Sequence, residues 1–155
     1  MYTWGNGASG QLGHGNTENH ENPKLLESLQ SKKVRKIYSL AAQSAALTNS
    51  GELYCWGWTG CSCVTETPTV VEELKGWNIL QVALGAYHAT VLVTGDADKA
   101  NEVFSWGRGS KGQLGHGDEV EVLQPRSIER LKNENVVALA SGETHTMCAT
   151  CKFTL

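Results

Sequence analysis

Two glycine-rich segments match the Gly-X-Gly-X-X-Gly pattern of dinucleotide-binding proteins, and they are the first candidates for chemistry in this sequence. They run from Gly5 to Gly10 and from Gly107 to Gly112. The pattern binds a dinucleotide where a helix follows it, because the helix N-terminus faces the pyrophosphate. Here Gln-Leu-Gly-His-Gly follows, and two glycines in five residues make a poor first helical turn. We therefore interpret both segments as turns with positive φ, and we expect no cofactor.

Cysteines provide a second set of candidate ligands. The five are Cys55, Cys61, Cys63, Cys148 and Cys151. With His145 they include the residue types of a Cys₃His or Cys₄ zinc site, but their spacing is not that of a zinc finger. Cys148 and Cys151 would also fall on opposite faces of a strand. No βαβ pattern precedes the Cys-X-X-Cys pair, as a thioredoxin-like site would require. We expect ordinary thiols and no metal site.

Histidines recur along the chain, which bears on whether they are catalytic. His14 and His116 each end a Gln-Leu-Gly-His segment, and His88 and His145 each stand three residues after a glycine. One general base serves one active site, whereas a hydrogen bond that fixes a turn is needed once in every repeat. A general base also needs a nucleophile or carboxylate partner, which the spacing does not show. We predict no catalytic residue and no enzymatic activity.

The elements that hold these residues repeat at a fixed period. WGNGASGQLGHG, starting at Trp4, and WGRGSKGQLGHG, starting at Trp106, are identical at nine of twelve positions. Trp56-Gly57 lies between them, so the tryptophans are 52 and 50 residues apart. A period near fifty residues is typical of propellers and other repeat proteins. We predict one repeat region over residues 1–155, with repeats at about 4–55, 56–105 and 106–155.

Prolines give an independent test of this period. Pro23, Pro68 and Pro125 are each followed by apolar residues at offsets of three, six, eleven and fourteen. These residues are Leu26, Leu29, Val34 and Ile37; Val71, Leu74, Ile79 and Val82; Ile128, Leu131, Val136 and Leu139. Offsets of seventeen and twenty reach Gly85 with His88 and Gly142 with His145, but Leu40 with Gln43 in the first copy. At the first four offsets all three copies carry apolar residues in the same register, without a gap.

Short apolar runs predict the strands. Each proline leads into one run (VRKIYSLAA, ILQVALG or VVALASG), and a second run follows it (SAALT, ATVLVT or HTMCAT). ELYCWG and EVFSWG then predict a third strand that ends in Trp-Gly. Seventeen glycines and only 7% aromatic residues agree with an all-β fold of many turns. The second copy lacks the GQLGHG segment after Trp56, and the polar insertion GDADKANE predicts an exposed hairpin tip.

The order WGxGxxGQLGHG, proline, strand and GxxH resembles the repeat of the regulator of chromosome condensation family over essentially the whole chain. The resemblance implies an all-β fold of β-propeller blades, each a four-stranded antiparallel sheet. The family's ring usually has seven blades, and this chain has about three repeats, an incomplete propeller. The structural repeat residues that it implies are Trp4, Gly5, Gly13, Trp56, Gly57, Gly85, His88, Trp106, Gly107, Gly115, Gly142 and His145.

The same resemblance implies a non-catalytic scaffold for protein–protein interactions, with a small GTPase or a ubiquitin-ligase component as partner. Two alternatives stay open: guanine-nucleotide exchange on a Ran-like small GTPase, and an inert propeller fragment. The family's ultraviolet receptor has its light-sensing tryptophans directly after the glycine of the GxxH motif. The equivalent positions here are Ala41, Ala86 and Glu143, so a photoreceptor is not supported. Polar loop residues face solvent, and we choose four as a partner-facing rim. They are Lys24, Glu27, Arg108 and Lys111.

The net charge, the length of the apolar runs and the uncovered edges of the predicted sheets lead to the remaining expectations. A net charge of −3 with scattered Lys and Arg gives no patch for nucleic acid. No apolar run approaches the roughly 20 residues that cross a membrane, and without a signal-peptide pattern we expect a cytoplasmic or nuclear protein. Three blades cannot close a ring, so we expect self-association or capture by a partner. MYTWG would pair with HTMCAT of another copy, and two copies would give six blades.

Overall fold

The structure, a computed structural model, describes residues 1–58, 64–94 and 100–151. These residues form twelve strands, and their only helices are three single turns of 3-10 helix. The strands are Tyr2–Gly5 (β1), His20–Leu25 (β2), Val34–Leu40 (β3), Gln43–Thr48 (β4), Leu53–Trp58 (β5), Val64–Val70 (β6), Ile79–Leu84 (β7), His88–Val93 (β8), Glu102–Gly107 (β9), Val122–Ser127 (β10), Val136–Ser141 (β11) and Thr146–Thr150 (β12). The helical turns are Glu27–Leu29, Glu72–Leu74 and Glu129–Leu131. The all-β prediction is confirmed.

Antiparallel pairing groups the strands into four sheets. Two sheets are complete, with the strand orders β3-β4-β5-β6 and β10-β9-β8-β7. The other two have two strands each, β1-β2 and β11-β12. Each complete sheet begins with two apolar strands of one sequence repeat and ends with the Trp-Gly strand and the proline strand of the next. The sheets and the sequence repeats are therefore offset by two strands.

Prolines mark the strand that the residue pattern alone did not predict. Pro23, Pro68 and Pro125 lie in β2, β6 and β10, each at an edge of its sheet. A proline has no N–H for the ladder, so it is tolerated where one side of the strand has no neighbour. These strands are mostly exposed and show no continuous apolar run. Only the family resemblance implied a fourth strand.

The chain divides into two compact units, residues 1–76 and 77–155. Each contains a buried apolar cluster, and the removal of this surface from water is the main driving force for its folding. In the first unit the cluster is Leu26, Leu29, Ala46, Tyr54 and Trp56. In the second unit it is Leu92, Val103, Ile128, Val136 and Leu139. Several members are the residues at fixed offsets from the prolines, which explains why those offsets are maintained.

Ile37 departs from that pattern. Its counterparts Val82 and Leu139 are buried, but Ile37 on β3 is 66% exposed. In the second unit β11 packs against β7 and β8, the two apolar strands of the preceding sheet. The sheet that precedes β3 consists of β1 and β2 alone, so it offers no such strands to cover Ile37.

Side-chain hydrogen bonds join the two sheets of the second unit. The side-chain amide of Gln81 on β7 donates from Nε2 to the backbone oxygen of Leu139 (2.6 Å) and accepts at Oε1 from its N–H (2.9 Å). Thr90 and Ser141 also meet through their hydroxyl groups, 3.0 Å apart. Gln81 thus acts as a backbone-like partner for β11.

Some sequence predictions fall outside the described residues. The shortened loop after Trp58 includes residues 59–63, and with them Cys61 and Cys63. Most of the predicted hairpin tip lies in residues 95–99.

Candidate functional site

Two equivalent glycine loops contain several of the residues singled out by the sequence. One follows β1 and the other follows β9, and each is built from successive turns. In the first loop the N–H of Gly10 donates to the oxygen of Gly7 and that of Gly13 to Gly10, at 2.8 and 3.0 Å. In the second, the N–H groups of Gly112 and Gly115 make the matching bonds, at 2.8 and 3.1 Å.

Positive φ angles explain four of the glycines chosen from the sequence. Gly5 and Gly107 have φ of 100° and 108°, and Gly13 and Gly115 have φ of 80° and 74°. Side chains with a Cβ rarely adopt this region, so glycine is favoured. Sequence reasoning missed two further glycines, Gly7 and Gly109. A Cβ on either would collide with a backbone oxygen, that of Glu18 or Val120, and such long-range contacts leave no local signal.

His14 and His116 fasten these loops to the preceding strand. In the second unit the hydroxyl group of Ser105 donates to the oxygen of Leu114 (2.7 Å) and lies 3.0 Å from Nε2 of His116. Because the single hydroxyl proton points to the carbonyl, Nε2 of the histidine is the donor of the second bond. In the first unit Thr3, Leu12 and His14 make the same arrangement, at 2.7 and 2.9 Å.

Burial keeps both of these histidines neutral. It is the largest cause that lowers the pKa of His14, followed by the positive charge of Lys24. It also lowers the pKa of His116, followed by Arg126. Each neutral ring therefore carries its proton on Nε2, the atom that donates to the strand hydroxyl group. The arrangement is structural and occurs once in each loop.

The GxxH segments form the tight turns between β7 and β8 and between β11 and β12. The N–H of Gly85 donates to the oxygen of His88 (2.7 Å), and Gly142 and His145 are bonded likewise (2.9 Å). The imidazole of each histidine lies where a Cβ of its glycine would be, so the glycine makes room for the ring. In the first unit Gln43 stands in place of the histidine, and it is buried, as His88 is.

His88 is fully buried and reaches from one sheet to the next. Its Nε2 lies 2.8 Å from Oγ1 of Thr146, and that hydroxyl donates to the backbone oxygen of Gln113 (2.8 Å). Burial, reinforced by His145, lowers the pKa of His88 to about 4. His88 is therefore a neutral donor at physiological pH. His145, at the same position of the next repeat, is exposed.

The repeat tryptophans differ in their surroundings. Trp56 and Trp106 are 2% and 4% exposed, whereas Trp4 is 58% exposed. Nε1 of Trp56 donates to the backbone oxygen of Gln11 (2.8 Å), which also accepts from Oγ of Ser44 (2.8 Å). Gly57 follows Trp56 with a φ of 89°.

The four predicted rim residues are all exposed, two in each unit. Arg108 and Lys111 lie in the loop after β9 of the second unit. Nε of Arg108 donates to Oγ of Ser110 (3.0 Å), and its guanidinium group lies 5.6 Å from the ring centre of Tyr87. Lys24 and Glu27 belong to the first unit, in β2 and in the helical turn after it.

Ligands for a metal ion do not converge in the part of the chain that the structure describes, which holds no group of three or more His, Cys, Asp or Glu side chains so arranged. Cys148 and Cys151 are exposed thiols. Burial raises the pKa of the Cys55 thiol to about 12, so this group is not a nucleophile at neutral pH. None of the described helices is long and apolar enough to span a membrane.

Repeated antiparallel sheets, in which a glycine loop with one structural histidine connects the Trp-Gly strand to the proline strand, define the class of blade-forming repeat proteins. Residues 1–47 and 101–149 match the regulator of chromosome condensation (RCC1) repeat. The chain belongs to the RCC1 repeat family.

Several relatives align with almost the whole of this chain. The human E3 ubiquitin-protein ligase HERC2 is 33% identical to it over 97% of the chain, and the Arabidopsis thaliana ultraviolet-B receptor UVR8 is 34% identical over 96%. The chain spans only 3% of the first relative and 34% of the second.

Solved structures agree with the fold. Yeast RCC1 (Prp20) bound to Kap60 superposes with a TM-score of 0.74 at 28% identity, over 96% of this chain and 37% of that one. Prp20p from Saccharomyces cerevisiae, described with its binding properties to Gsp1p and histones, gives 0.74 at 27% identity over the same shares. The structure of human WBSCR16 gives 0.75 at 20% identity, over 98% of this chain and 40% of that one.

Proposed function

We propose that this chain is a non-catalytic interaction module, in which the sheets and glycine loops form a rigid support and exposed loop residues bind another protein. The observation that carries the proposal is the structural role of the recurring histidines. His14, His88 and His116 all direct Nε2 to a hydroxyl group that is itself bonded to the backbone. These histidines hold loops in place, and their recurrence follows from that task.

The loop after β9 offers the side chains for a partner. Arg108 extends beside Tyr87 while its backbone N–H is fixed to the oxygen of Tyr87 (2.8 Å). Lys111 lies on the same loop, and its N–H donates to Oε1 of Gln113 (2.8 Å). Arginine and tyrosine are frequent anchor residues of protein interfaces, and a fixed loop loses little entropy on binding. These features favour an acidic patch on a protein partner.

Affinity capture tests the proposal with matched variants. Immobilised wild-type chain is compared with the double variant Arg108→Ala/Lys111→Ala and with a control, Lys33→Ala/Lys75→Ala, which removes two exposed lysines elsewhere. A protein captured equally by the wild type and the control, but at least tenfold less by the double variant, would support the loop as the binding surface. Equal capture by all three chains would refute it.

Nucleotide exchange is the alternative that a relative supports, since Prp20p has been described with its binding to Gsp1p. The discriminating measurement is the release of a fluorescent guanine nucleotide from Gsp1p with and without the chain. A release rate that rises in proportion to the chain's concentration would replace the non-catalytic proposal. Binding without faster release agrees with the interaction module.

A further inference from the structure

The two glycine loops keep the same turns but differ at three positions that lie close together. Nine of the twelve residues that begin at Trp4 are identical to those that begin at Trp106. The positions that differ hold Asn6, Ala8 and Ser9 in the first loop and Arg108, Ser110 and Lys111 in the second. The turn hydrogen bonds and the positive φ angles of the two loops match, so these differences lie on a common backbone. They give the second loop two positive charges where the first has none.

In the first loop, two side-chain amides accept hydrogen bonds from consecutive backbone N–H groups. Oδ1 of Asn19 accepts from the N–H of Gly7 (2.9 Å). Oδ1 of Asn6 accepts from the N–H of Ala8 (2.8 Å). The first loop therefore supplies its own acceptor oxygens for both donors.

The equivalent donors of the second loop are the N–H groups of Gly109 and Ser110, and neither has an acceptor among the described residues. Arg108 and Glu121 take the places of the two asparagines. A guanidinium group cannot accept a hydrogen bond, and the exposed side chain of Glu121 forms none with this loop in the described chain. Because Gly109 is buried, an N–H without an acceptor there is unusual and costs free energy. The loop thus has two adjacent donors for an acceptor that comes from outside the chain.

Positive charge belongs to the residues on either side of these donors. Nε of Arg108 donates to Oγ of Ser110 (3.0 Å), so the guanidinium group is held beside residue 110. Its two Nη groups have no acceptor within the described ranges. Lys111 is exposed and forms no ion pair with a described residue. Residues 108–111 therefore bring together two cationic side chains and two backbone donors that the described chain leaves unpaired.

The number of these donors indicates which anion fits. A carboxylate offers two oxygens and one negative charge, whereas a phosphate monoester offers three terminal oxygens and a charge of about −1.5 to −2 at pH 7. Arginine binds phosphate through two parallel N–H groups, and lysine binds it as a point charge. Successive backbone N–H groups in turns also bind anions. The donors of residues 108–111 match a phosphate monoester better than a carboxylate.

The charges around the loop separate two sources of such a phosphate. The chain has a net charge of −3, and Asp118, Glu119 and Glu121 follow the loop. A nucleic acid brings a long row of phosphates and is repelled by all of these charges, whereas a phosphorylated protein side chain brings a single charged group. A protein is therefore the favoured source.

We propose that residues 108–111 bind the phosphate group of a phosphorylated side chain on the protein partner. One phosphate oxygen takes the place that Oδ1 of Asn6 has in the first loop, and it accepts from the N–H of Ser110. The guanidinium group of Arg108 and the ammonium group of Lys111 balance the charge of the phosphate. The inference rests on the proposed function, because it names the group that the same loop recognises on the same partner.

Backbone amide chemical shifts of the isotope-labelled chain measure this binding. The probe is the peptide Gly-Ala-pSer-Ala-Gly, compared with the same peptide carrying serine or glutamate at its centre. We expect the phosphoserine peptide to shift the amides of Gly109 and Ser110 and to bind at least about tenfold more tightly than the glutamate peptide. The amides of Gly7 and Ala8 already have acceptors, so they are the internal control and should not shift.

An exchange of loop residues provides the matched variant. Arg108→Asn/Ser110→Ala/Lys111→Ser gives the second loop the residues with which the first loop already folds, and an asparagine oxygen again accepts from the N–H of residue 110. We expect its affinity for the phosphoserine peptide to fall at least about tenfold. Lys33→Ala/Lys75→Ala removes two positive charges from other exposed sites and should bind the peptide like the wild type.

Each failure has its own signature. Equal affinities for the phosphoserine and glutamate peptides, or no shift at Gly109 and Ser110, would overturn the phosphate inference, while loop-dependent capture from a lysate would still uphold the proposed function. Undiminished binding by the loop-exchange variant would place the phosphate elsewhere and overturn the inference as well. A single-stranded oligothymidylate that binds more tightly than the phosphoserine peptide would replace the protein partner with nucleic acid. Phosphoserine binding without loop-dependent capture would uphold the phosphate site and refute the proposed function instead.

Discussion

Gly13 and Gly115 occupy the same place in two repeats but have different neighbours. Both have positive φ, so an alanine at either position adopts an unfavourable backbone conformation. At Gly13 the added Cβ also meets the indole of Trp56 and, at 3.2 Å, the ring of Pro68. At Gly115 the nearest atoms leave ordinary van der Waals space. Alanine substitutions at these two positions therefore separate the free-energy cost of the backbone conformation from the cost of the packing contact.

We predict that Gly115→Ala destabilises the fold by about 1 kcal/mol, and Gly13→Ala by about twice as much or more. The backbone term is common to both, and the contact with Trp56 adds to the second. Urea unfolding in dilute solution, where copies do not associate, measures the two free energies. Equal losses would show that Trp56 moves aside at no cost.

His88 makes stability depend on pH, because its pKa is about 4 in the folded chain and near the ordinary 6.5 in the unfolded chain. With the folded pKa below the unfolded one, the unfolded chain takes up the proton first as the pH falls. The contribution of His88 to stability is thus present above pH 6.5 and is lost between pH 6.5 and about 4.

We predict that His88→Gln lessens this loss, by at most about 1.4 kcal/mol per pH unit over that window. Gln43 is buried at the same position of the first repeat, so an amide fits the site and can donate to Thr146. Urea unfolding of both chains at pH 7.5, 5.5 and 4.5 gives the comparison. Parallel pH profiles would mean that His14 and His116, whose pKa values are also lowered, account for the acid sensitivity.

At the scale of elements, β7 and β11 are connected by side chains rather than by a backbone ladder, through Gln81 and through Ser141, whose hydroxyl group donates to the backbone oxygen of Ala83 (3.4 Å). Gln81 bonds to both the N–H and the oxygen of Leu139, whose side chain is buried. An apolar residue at position 81 would remove both partners, and an unsatisfied buried backbone group costs about 1–3 kcal/mol. This amide is thus one of the groups that align the two sheets of the second unit.

We predict that Gln81→Leu destabilises the second unit by about 2 kcal/mol or more and accelerates hydrogen exchange at the amide of Leu139. Gln124→Leu, the same chemical change on the exposed strand β10, is the control and should be within about 0.5 kcal/mol of the wild type. Unchanged exchange at Leu139 in the Gln81 variant would show that another group replaces the amide.

The sequence allowed the apolar strands to be located, because their runs and the offsets from the prolines repeat three times. β2, β6 and β10 escaped the residue pattern, since they are mostly exposed and carry a proline. The loop histidines were expected to tie turns, but their hydroxyl partners Thr3 and Ser105 were not identified. Gln81 and the oxygen of Gln113 were missed as well. Contacts between residues far apart in sequence leave no local pattern, and a backbone oxygen leaves no residue type.

At the scale of the whole molecule, association and stability are linked. The self-association that the sequence predicts would form only between folded chains, so it would shift the unfolding equilibrium by mass action. The exposed side chains of Tyr2 and Trp4 would add to its free energy, because large aromatic side chains dominate interfaces.

We predict that the Tm of the wild type rises by several degrees when the protein concentration is increased about a hundredfold, an increase worth up to about 2.7 kcal/mol. The Tm of Trp4→Ala, which lacks the exposed indole of β1, should rise less over the same range. Differential scanning calorimetry with a dilution series provides the measurement. A wild-type Tm that does not depend on concentration would argue against assembly of folded chains.

The prolines of β2, β6 and β10 also affect behaviour in a crowded solution. An edge strand with a full row of N–H groups is a template for aggregation, and proline interrupts that row. Each of these three edges carries one proline. Proline therefore protects the chain against unspecific growth of its sheets along those edges.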